Sequence, residues 1–489
     1  MLLPLQKPFL ALICFIGLAL FPLTITQQSR ANEIKLPMLG DTTSGIVSLQ
    51  QEHELGRAWL KMFRRRVTTL NDPLMQDYIE NLIYRLASHS ELLDRRLELI
   101  VVNNPSMNAF AVPGGVVGVH TGLFLFAENE AQLSSVLAHE LAHLSQRHFA
   151  RNLANQKASS YTTMAGMLVG LILAATVGGD AGMAAMTMTQ ASAMDSGLRF
   201  SRQYEQEADR LGIDTLYRAE MDPNAVPAMF ERMLAATRYI GRRPPEFLLT
   251  HPLSEKRVAD ARGRTSQFPP RYYPDNLDYH LIRSRALIAI DGNAQHSMNR
   301  FKNELQGHTL STEAATYGLA LAQSAAGHHK KAQQSLQTLL DKSPQRFIYR
   351  FSAIELQRAS EEFDRAFATI DKLGRDYPNS YPLQSELAET LLQNRQYAKS
   401  EQVLEKLSRQ RPNDPDVWFE LAETSGLAGD IPGVHIARAE YFILTGVFNK
   451  AREQLRYAKR LLRQDFKRTA MIDQRLRDLH TMEARMKKL

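Results

Sequence analysis

His139-Glu140-Leu141-Ala142-His143 sets two histidines four residues apart, with a glutamate beside the first. On a helix, positions i and i+4 share a face, so both imidazoles can meet one metal ion. Glu140 then lies where it can take a proton from a water at that metal. The surroundings read as helix. Ala131, Leu133, Leu137, Leu141 and Leu144 keep helical spacing, and neither Gly nor Pro interrupts residues 130–155. One long helix over 130–155 is therefore the expectation. Chance gives the five-residue pattern about 0.02 times in a chain of this histidine and glutamate content. The competing reading is two unrelated histidines on a helical surface. His53-Glu54-Leu55 starts the same way, but position 57 is Arg.

A catalytic zinc takes three protein ligands and leaves its fourth position open. His148 is five residues past His143, on another helical face, which suits a supporting or structural role better than ligation. Glu205-Gln206-Glu207-Ala208-Asp209 is a better source. Glu205 and Asp209 share a helical face, and Glu207 points about 200° away from Glu205. One carboxylate can bind metal while Asp209 accepts a hydrogen bond from a ligand histidine. The alternative is an ordinary charged helix, with Arg202 and Arg210 as ion-pair partners. His251, in Thr250-His251-Pro252-Leu253, has three readings: a fourth ligand that displaces the water, a contact to substrate or oxyanion, or a structural residue.

The chain has 489 residues, 44% hydrophobic and 23% charged, which excludes disordered, collagenous and disulfide-stapled classes. Its short apolar runs exclude a polytopic membrane protein. Residues 1–31 read as a secretory signal: Lys7 precedes an apolar run, and Ser29-Arg30-Ala31 offers a cleavage site after Ala31. An uncleaved anchor is the rival reading. The single cysteine, Cys14, leaves with the signal, so the mature chain cannot form disulfides. Residues 450–489 carry 13 Lys and Arg against five Asp and Glu, a net of +8. That face suits an acidic partner or an anionic lipid surface, or is simply solvated. Nucleic acid is not an expected partner of an exported chain.

The mature chain divides near residue 265. Helical spacing over 51–66 and 72–86 precedes strand patterns at 97–102 and 116–120, the second entered through a Pro113-Gly114-Gly115 turn. Two neighbouring strands joined by that turn are expected. Gly263, Pro269, Pro270 and Pro274 mark a linker. Beyond it a small residue and a later proline recur. Ala332 precedes Pro344 and Ala366 precedes Pro378, both gaps are 12 residues, and the alanines are 34 apart. Ala398 follows, then Trp418, Leu421 and Ala422, then Phe448 and Ala451. This is the tetratricopeptide period, with about four units over 310–465; a generic helical bundle is the alternative. The division is signal peptide 1–31, peptidase domain 32–265, linker and leading helix 266–309, and repeat domain 310–489 with a basic terminal helix.

HExxH followed by ExxAD, preceded by Asn108-Ala109-Phe110 and Pro113-Gly114-Gly115, resembles the HtpX and CAAX prenyl protease family of zinc metallopeptidases. The resemblance covers about residues 45–260. It implies an α+β zincin-type domain, mostly helical with a small sheet, followed here by an all-α repeat domain. It implies one zinc on His139, His143 and Glu205, Glu140 as general base, and Asp209 supporting a ligand. With its leader and repeats, the whole chain resembles the periplasmic β-barrel assembly-enhancing proteases of Gram-negative bacteria. That likeness implies three partners: unfolded or stalled outer-membrane proteins, the β-barrel assembly machinery through the repeats, and peripherally the outer membrane. Any disulfide in the C-terminal domain of such relatives does not carry over.

Metalloproteases commonly hold substrate as an added edge strand. Residues 108–119 are the candidate, with Asn108, Ala109 and Phe110 leading; an ordinary core strand is the alternative. Between the half-sites, residues 161–194 are rich in Gly, Ala and Met, and membrane relatives place spans there. Here the apolar part is short and Gly178-Gly179-Asp180 breaks it. A flap over the site, peripheral membrane contact and plain core are the three readings, in that order. The chain is thus expected to be a zinc endopeptidase with chaperone-like activity toward outer-membrane proteins. The alternative is a repeat-based chaperone or adapter with a largely quiescent zinc domain. An intact Glu140 favours the enzyme.

Overall fold

Ser48 opens the first helix. Its hydroxyl accepts from the Gln51 amide while the Gln51 side chain answers the Ser48 amide, so two end groups are satisfied at once. This helix, α1 (Leu49–Arg64), buries Leu55, Trp59 and Phe63. Asp72 caps α2 (Pro73–His89) in the same manner. The computed structural model describes residues 47–155, 202–239, 245–307 and 309–486. The leader 1–31 and the stretch 161–194 lie outside the described residues. Among the described residues, no helix is long and apolar enough to cross a membrane.

Three strands follow: β1 (Glu98–Val102), β2 (Ala109–Val112) and β3 (Val116–His120). Their order is β1-β3-β2, with β3 antiparallel to β2 and parallel to β1. The glycine turn therefore joins β3 to a strand that alternation alone did not separate, and the 97–102 strand lies across β3 from it. Gly114 and Gly115 take φ of +84° and +80°. A Cβ on Gly114 would also lie 2.4 Å from the Glu52 carbonyl oxygen, so α1 rests directly on this turn.

A short helix, α3 (Leu123–Phe126), leads to α4 (Glu130–Ser145), capped by Asn129 and buried on almost every side. The expected helix over 130–155 is two helices. Arg147 is left-handed at φ +51°, and α5 (His148–Asn155) departs in a new direction. The Arg147 guanidinium holds this break by binding Glu52 and the Val47 carbonyl. α6 (Arg202–Arg218) crosses α4 where Gly212 meets the His139 backbone; a Cβ there would lie 3.3 Å from the His139 nitrogen. α7 (Ala225–Tyr239), α8 (Glu246–Thr250) and α9 (Glu255–Thr265) complete this half.

Residues 266–276 are non-helical, as the prolines require. The rest of 266–309 carries two helices rather than one, α10 (Leu277–Asp291) and α11 (Ala294–Gln306), separated by left-handed Gly292. Five antiparallel pairs follow: α12 (Thr312–Ala325) with α13 (His329–Lys342), α14 (Phe347–Ala359) with α15 (Phe363–Asp376), α16 (Tyr381–Gln393) with α17 (Tyr397–Gln410), α18 (Pro415–Ala428) with α19 (Ile431–Leu444), and α20 (Phe448–Leu461) with α21 (Phe466–Met486). Ala332, Ala366 and Ala451 are fully buried at the helix crossings. Ala398 is not the third repeat position, because it is exposed. Ser400 takes that place, 34 residues after Ala366, and donates its hydroxyl to the Ala388 carbonyl at 2.7 Å.

One apolar core runs from α2, the sheet and α4 through Tyr279, Tyr317 and Tyr349 to Leu383, so the two halves share their interior. Polar bonds reinforce the contact. Arg411 binds Glu80 at 2.6 Å and Asn71 binds Glu420 at 3.0 Å. Arg285 binds Asp72 and Glu355, both at 2.6 Å, with its side chain 10% exposed. Burial opposes its charge, but the two carboxylates keep it protonated well above the ordinary arginine range. Replacing Arg285 with Met leaves two carboxylates facing one another, and we expect a loss of about 3–5 kcal/mol in chemical denaturation. A loss under about 1 kcal/mol would mean that this network does not help to dock the halves.

Candidate metal centre

Because α4 is a continuous helix to Ser145, His139 and His143 project from one face, with Nε2 atoms 3.0 Å apart. α6 brings Glu205 to the same point. Its carboxylate oxygens lie 3.4 Å from His139 Nε2 and 3.5 Å from His143 Nε2. The loop after α8 adds His251, whose Nδ1 is 3.3 Å from His139 Nε2 and 3.1 Å from Glu205 Oε1. These four donors lie within 4.8 Å of one another, and all are buried. Donors bonded to one tetrahedral metal at about 2.0–2.1 Å sit about 3.3–3.4 Å apart, and the contacts in this cluster run from 3.0 to 3.5 Å. Buried Glu205 Oε2 and Glu140 Oε1 accept no well-directed hydrogen bond among the described residues, though Arg257 Nη1 lies 3.0 Å from the first and His251 Nε2 3.4 Å from the second. Carboxylate oxygens so incompletely satisfied in a closed site fit a cation at its centre.

The ligand rings are held from behind. His139 Nδ1 donates to Asp209 Oδ1 at 3.0 Å. Arg257 grips both Asp209 oxygens at 2.7 Å, lies 3.0 Å from Glu205 and donates to the Pro252 carbonyl at 2.8 Å. With Nε2 of His143 turned to the cluster, its Nδ1 carries the proton and meets His148 Nδ1 at 2.9 Å. His148 passes its other nitrogen to Glu207 at 3.2 Å. The turn at Arg147 makes this possible, since it swings His148 back over the ring that a straight helix would leave behind. Glu207, pointing away from Glu205, supports the site without entering it.

The electrostatics follow from burial and these contacts. Burial works against the charge on Asp209, yet Arg257 and His139 hold it below the usual carboxylate range. Burial likewise opposes the charge on Glu205, and the surrounding histidines hold it well down. Burial lowers His139, but hydrogen bonds to Asp209 and Glu205 outweigh it and raise the imidazole to about 9. His143 is pushed well down by burial. Glu140 is pushed up by burial, and His251, His139 and the Ala111 amide only partly offset this.

That amide belongs to the outer edge of β2. His120 donates to the Asn108 carbonyl, so Asn108, Phe110 and Val112 pair with β3, while Ala109 and Ala111 turn their backbone groups outward. Of the three strand candidates, then, only Ala109 turns its backbone to the edge of β2 that no strand pairs, and it is buried there. Phe110 packs its ring against Trp59 and Phe63.

Arg257 is the residue that motif reading missed. It follows His251 by six positions and looks like any cation in the first turn of a helix. Replacing it with Met should cost about 3–5 kcal/mol at pH 7, because Asp209 and Glu205 stay buried and charged. Without the guanidinium, the Asp209 pKa rises above its unfolded value of about 3.9, so this penalty shrinks as pH falls. Denaturation at pH 7 and pH 4.5 checks both signs; an equal penalty at both would contradict the assignment.

Residues 73–265 match Peptidase family M48, and residues 357–421 match the tetratricopeptide repeat. The beta-barrel assembly-enhancing protease of Escherichia coli (strain K12) is 34% identical over 453 residues, 92% of each chain. The same-named protein of Yersinia pestis is 32% identical over 93% of each chain. Mitochondrial metalloendopeptidase OMA1 of Schizosaccharomyces pombe is 35% identical over 181 residues, 37% of this chain and 50% of that one. With a buried donor cluster made for a metal, a small sheet beside it and helical repeats after it, the chain belongs to the β-barrel assembly-enhancing proteases, metallopeptidases of family M48 that carry tetratricopeptide repeats.

Proposed function

We propose that the chain is a periplasmic zinc metalloendopeptidase with chaperone-like activity, promoting the assembly or the degradation of outer-membrane β-barrel proteins. The observation that carries this reading is the convergence of His139, His143 and Glu205 on one point, with Glu140 Oε1 beside it, 3.4 Å from His251 Nε2. Two imidazoles and a carboxylate suit zinc, which when bound supplies a Lewis acid that polarises a carbonyl and acidifies water. Glu140 takes the proton of the attacking water and returns it to the leaving amine; a carboxyl raised by burial suits both steps. Asp209, gripped by Arg257, orients His139. Ala109 and the Ala111 carbonyl hold the substrate backbone as an added strand, the Ala111 amide being turned to Glu140.

Cleavage after Ala31 would release the mature chain into the periplasm. The names of its relatives support β-barrel proteins as substrates, and the repeats support docking on assembly machinery. The tip between α20 and α21, where exposed Phe466 stands among Arg463, Lys467 and Arg468, supports peripheral contact with the outer membrane.

His251 favours a second reading. Its ring would take the fourth position that a catalytic zinc leaves to water, and a closed set of four donors is typical of structural rather than catalytic zinc. A repeat-based chaperone with a quiet zinc domain would look like this. We read His251 instead as a removable ligand that keeps the protease silent at rest. Two variants decide. Glu140→Gln should keep zinc and abolish cleavage, a fall of at least a hundredfold. His251→Ala should raise basal cleavage of unfolded casein. Unchanged cleavage by His251→Ala, or full cellular function with Glu140→Gln, would leave the scaffold reading as the better one.

A further inference from the structure

His251 cannot leave the cluster alone. It follows α8 directly, and its amide donates to the Phe247 carbonyl at 2.9 Å, so residues 246–251 move as one piece. That piece is tied down at both ends. At its far end, Arg257 holds the Pro252 carbonyl. At its near end, the Phe247 amide donates to the Met107 carbonyl at 3.2 Å, and Glu246 reaches Ser106.

The Ser106 contact is built with care. Ser106 Oγ donates to Glu246 Oε2 at 2.9 Å and lies 2.8 Å from His120 Nδ1. A serine has one proton, so His120 Nδ1 must be the donor to Ser106. The chain of bonds thus runs one way, from His120 through Ser106 to Glu246. His120 is fully buried at the end of β3, and burial lowers its pKa to about 4, so it stays neutral with its proton on Nδ1. Its Nε2 has no partner among the described residues, so the ring's one bond of this kind is directed at Ser106. The loop bearing Ser106 is itself fixed: Asn104 accepts from the Ser106 amide through its side chain and from the Gly122 amide through its carbonyl. A rigid platform, a single hydroxyl and a carboxylate on the movable piece make a latch support.

We propose that Ser106, held between His120 and Glu246, is a positioning residue that pins the His251 segment in the metal cluster and so keeps the site in its closed form. This rests on the reading of His251 as a removable ligand. The pin shares no atom with the cluster, so its loss loosens His251 without removing His139, His143, Glu205 or Glu140.

The test uses the full mature chain loaded with zinc. Ser106→Ala, Ser106→Thr and Glu246→Gln are made alone and in the His251→Ala background. Readouts are cleavage of unfolded casein, zinc per chain, and the visible spectrum of the cobalt-substituted protein. Ser106→Ala should raise basal cleavage about tenfold, the scale of one hydrogen bond to a carboxylate. Ser106→Thr, which keeps the hydroxyl, should stay near wild type. Zinc should remain one per chain, and the cobalt spectrum of Ser106→Ala should move toward that of His251→Ala. In the His251→Ala background, Ser106→Ala should add nothing. If His251→Ala raises cleavage and Ser106→Ala and Glu246→Gln do not, the pin is wrong and the His251 reading stands. If Ser106→Ala still adds activity without His251, the serine acts elsewhere and the pin is again wrong. If His251→Ala raises nothing, both readings fall together. Should Ser106→Ala not fold, Glu246→Gln, on the surface side of the pin, carries the same three comparisons.

Discussion

The approach of α6 to α4 sets the positions of His139, His143 and Glu205, three of the four donors in the cluster. Gly212 lets the two backbones close to a distance that a larger residue would resist, and it does so beside His139. Asp209 and Glu205 are about one and two turns away along α6, so both carboxylates face the histidine pair. The rest of the peptidase half serves this crossing. The sheet edge covers Glu140, the break at Arg147 returns His148 to His143, and the segment after α8 closes the remaining side with His251.

Much of this was legible because helical spacing is rigid. Two histidines at i and i+4 must share a face, and so must Glu205 and Asp209, whatever the tertiary fold. Glu207 was correctly read as pointing elsewhere, though its bond to His148 needed the turn at Arg147. Nothing local marks that turn. Arg147 is neither glycine nor asparagine, and it adopts its left-handed backbone because Glu52 and Val47, about a hundred residues earlier, hold its side chain. Arg257 was invisible for a similar reason, since its partners lie almost fifty residues upstream. In the sheet, alternation found the strands flanking the loop but not that β3 would lie between the other two. In the repeats, the 34-residue period pointed to the right place, and chemistry misled: an alanine was expected where a serine of similar size sits with its hydroxyl satisfied.

Two buried arginines share one logic. Arg257 binds Asp209 and Glu205 at the cluster, and Arg285 binds Asp72 and Glu355 where the halves meet. Each arginine stands between a pair of carboxylates whose charges would otherwise face one another uncompensated. Such sites specify one arrangement, because a shifted helix would strand a charge. The repeats are thereby fixed to the peptidase half through α10 and α2 and do not form a separate appendage. The surface of the repeats is therefore joined to the candidate metal centre through a shared core.

The proposed chemistry requires one metal ion held jointly by α4 and α6. Metal content per chain of purified mature protein, wild type beside Glu205→Gln, tests this most directly. We predict one zinc per chain in the wild type and its near-complete loss in the variant. One zinc in both proteins would contradict the assignment of Glu205, and no zinc in either after metal-replete purification would contradict the metal centre itself.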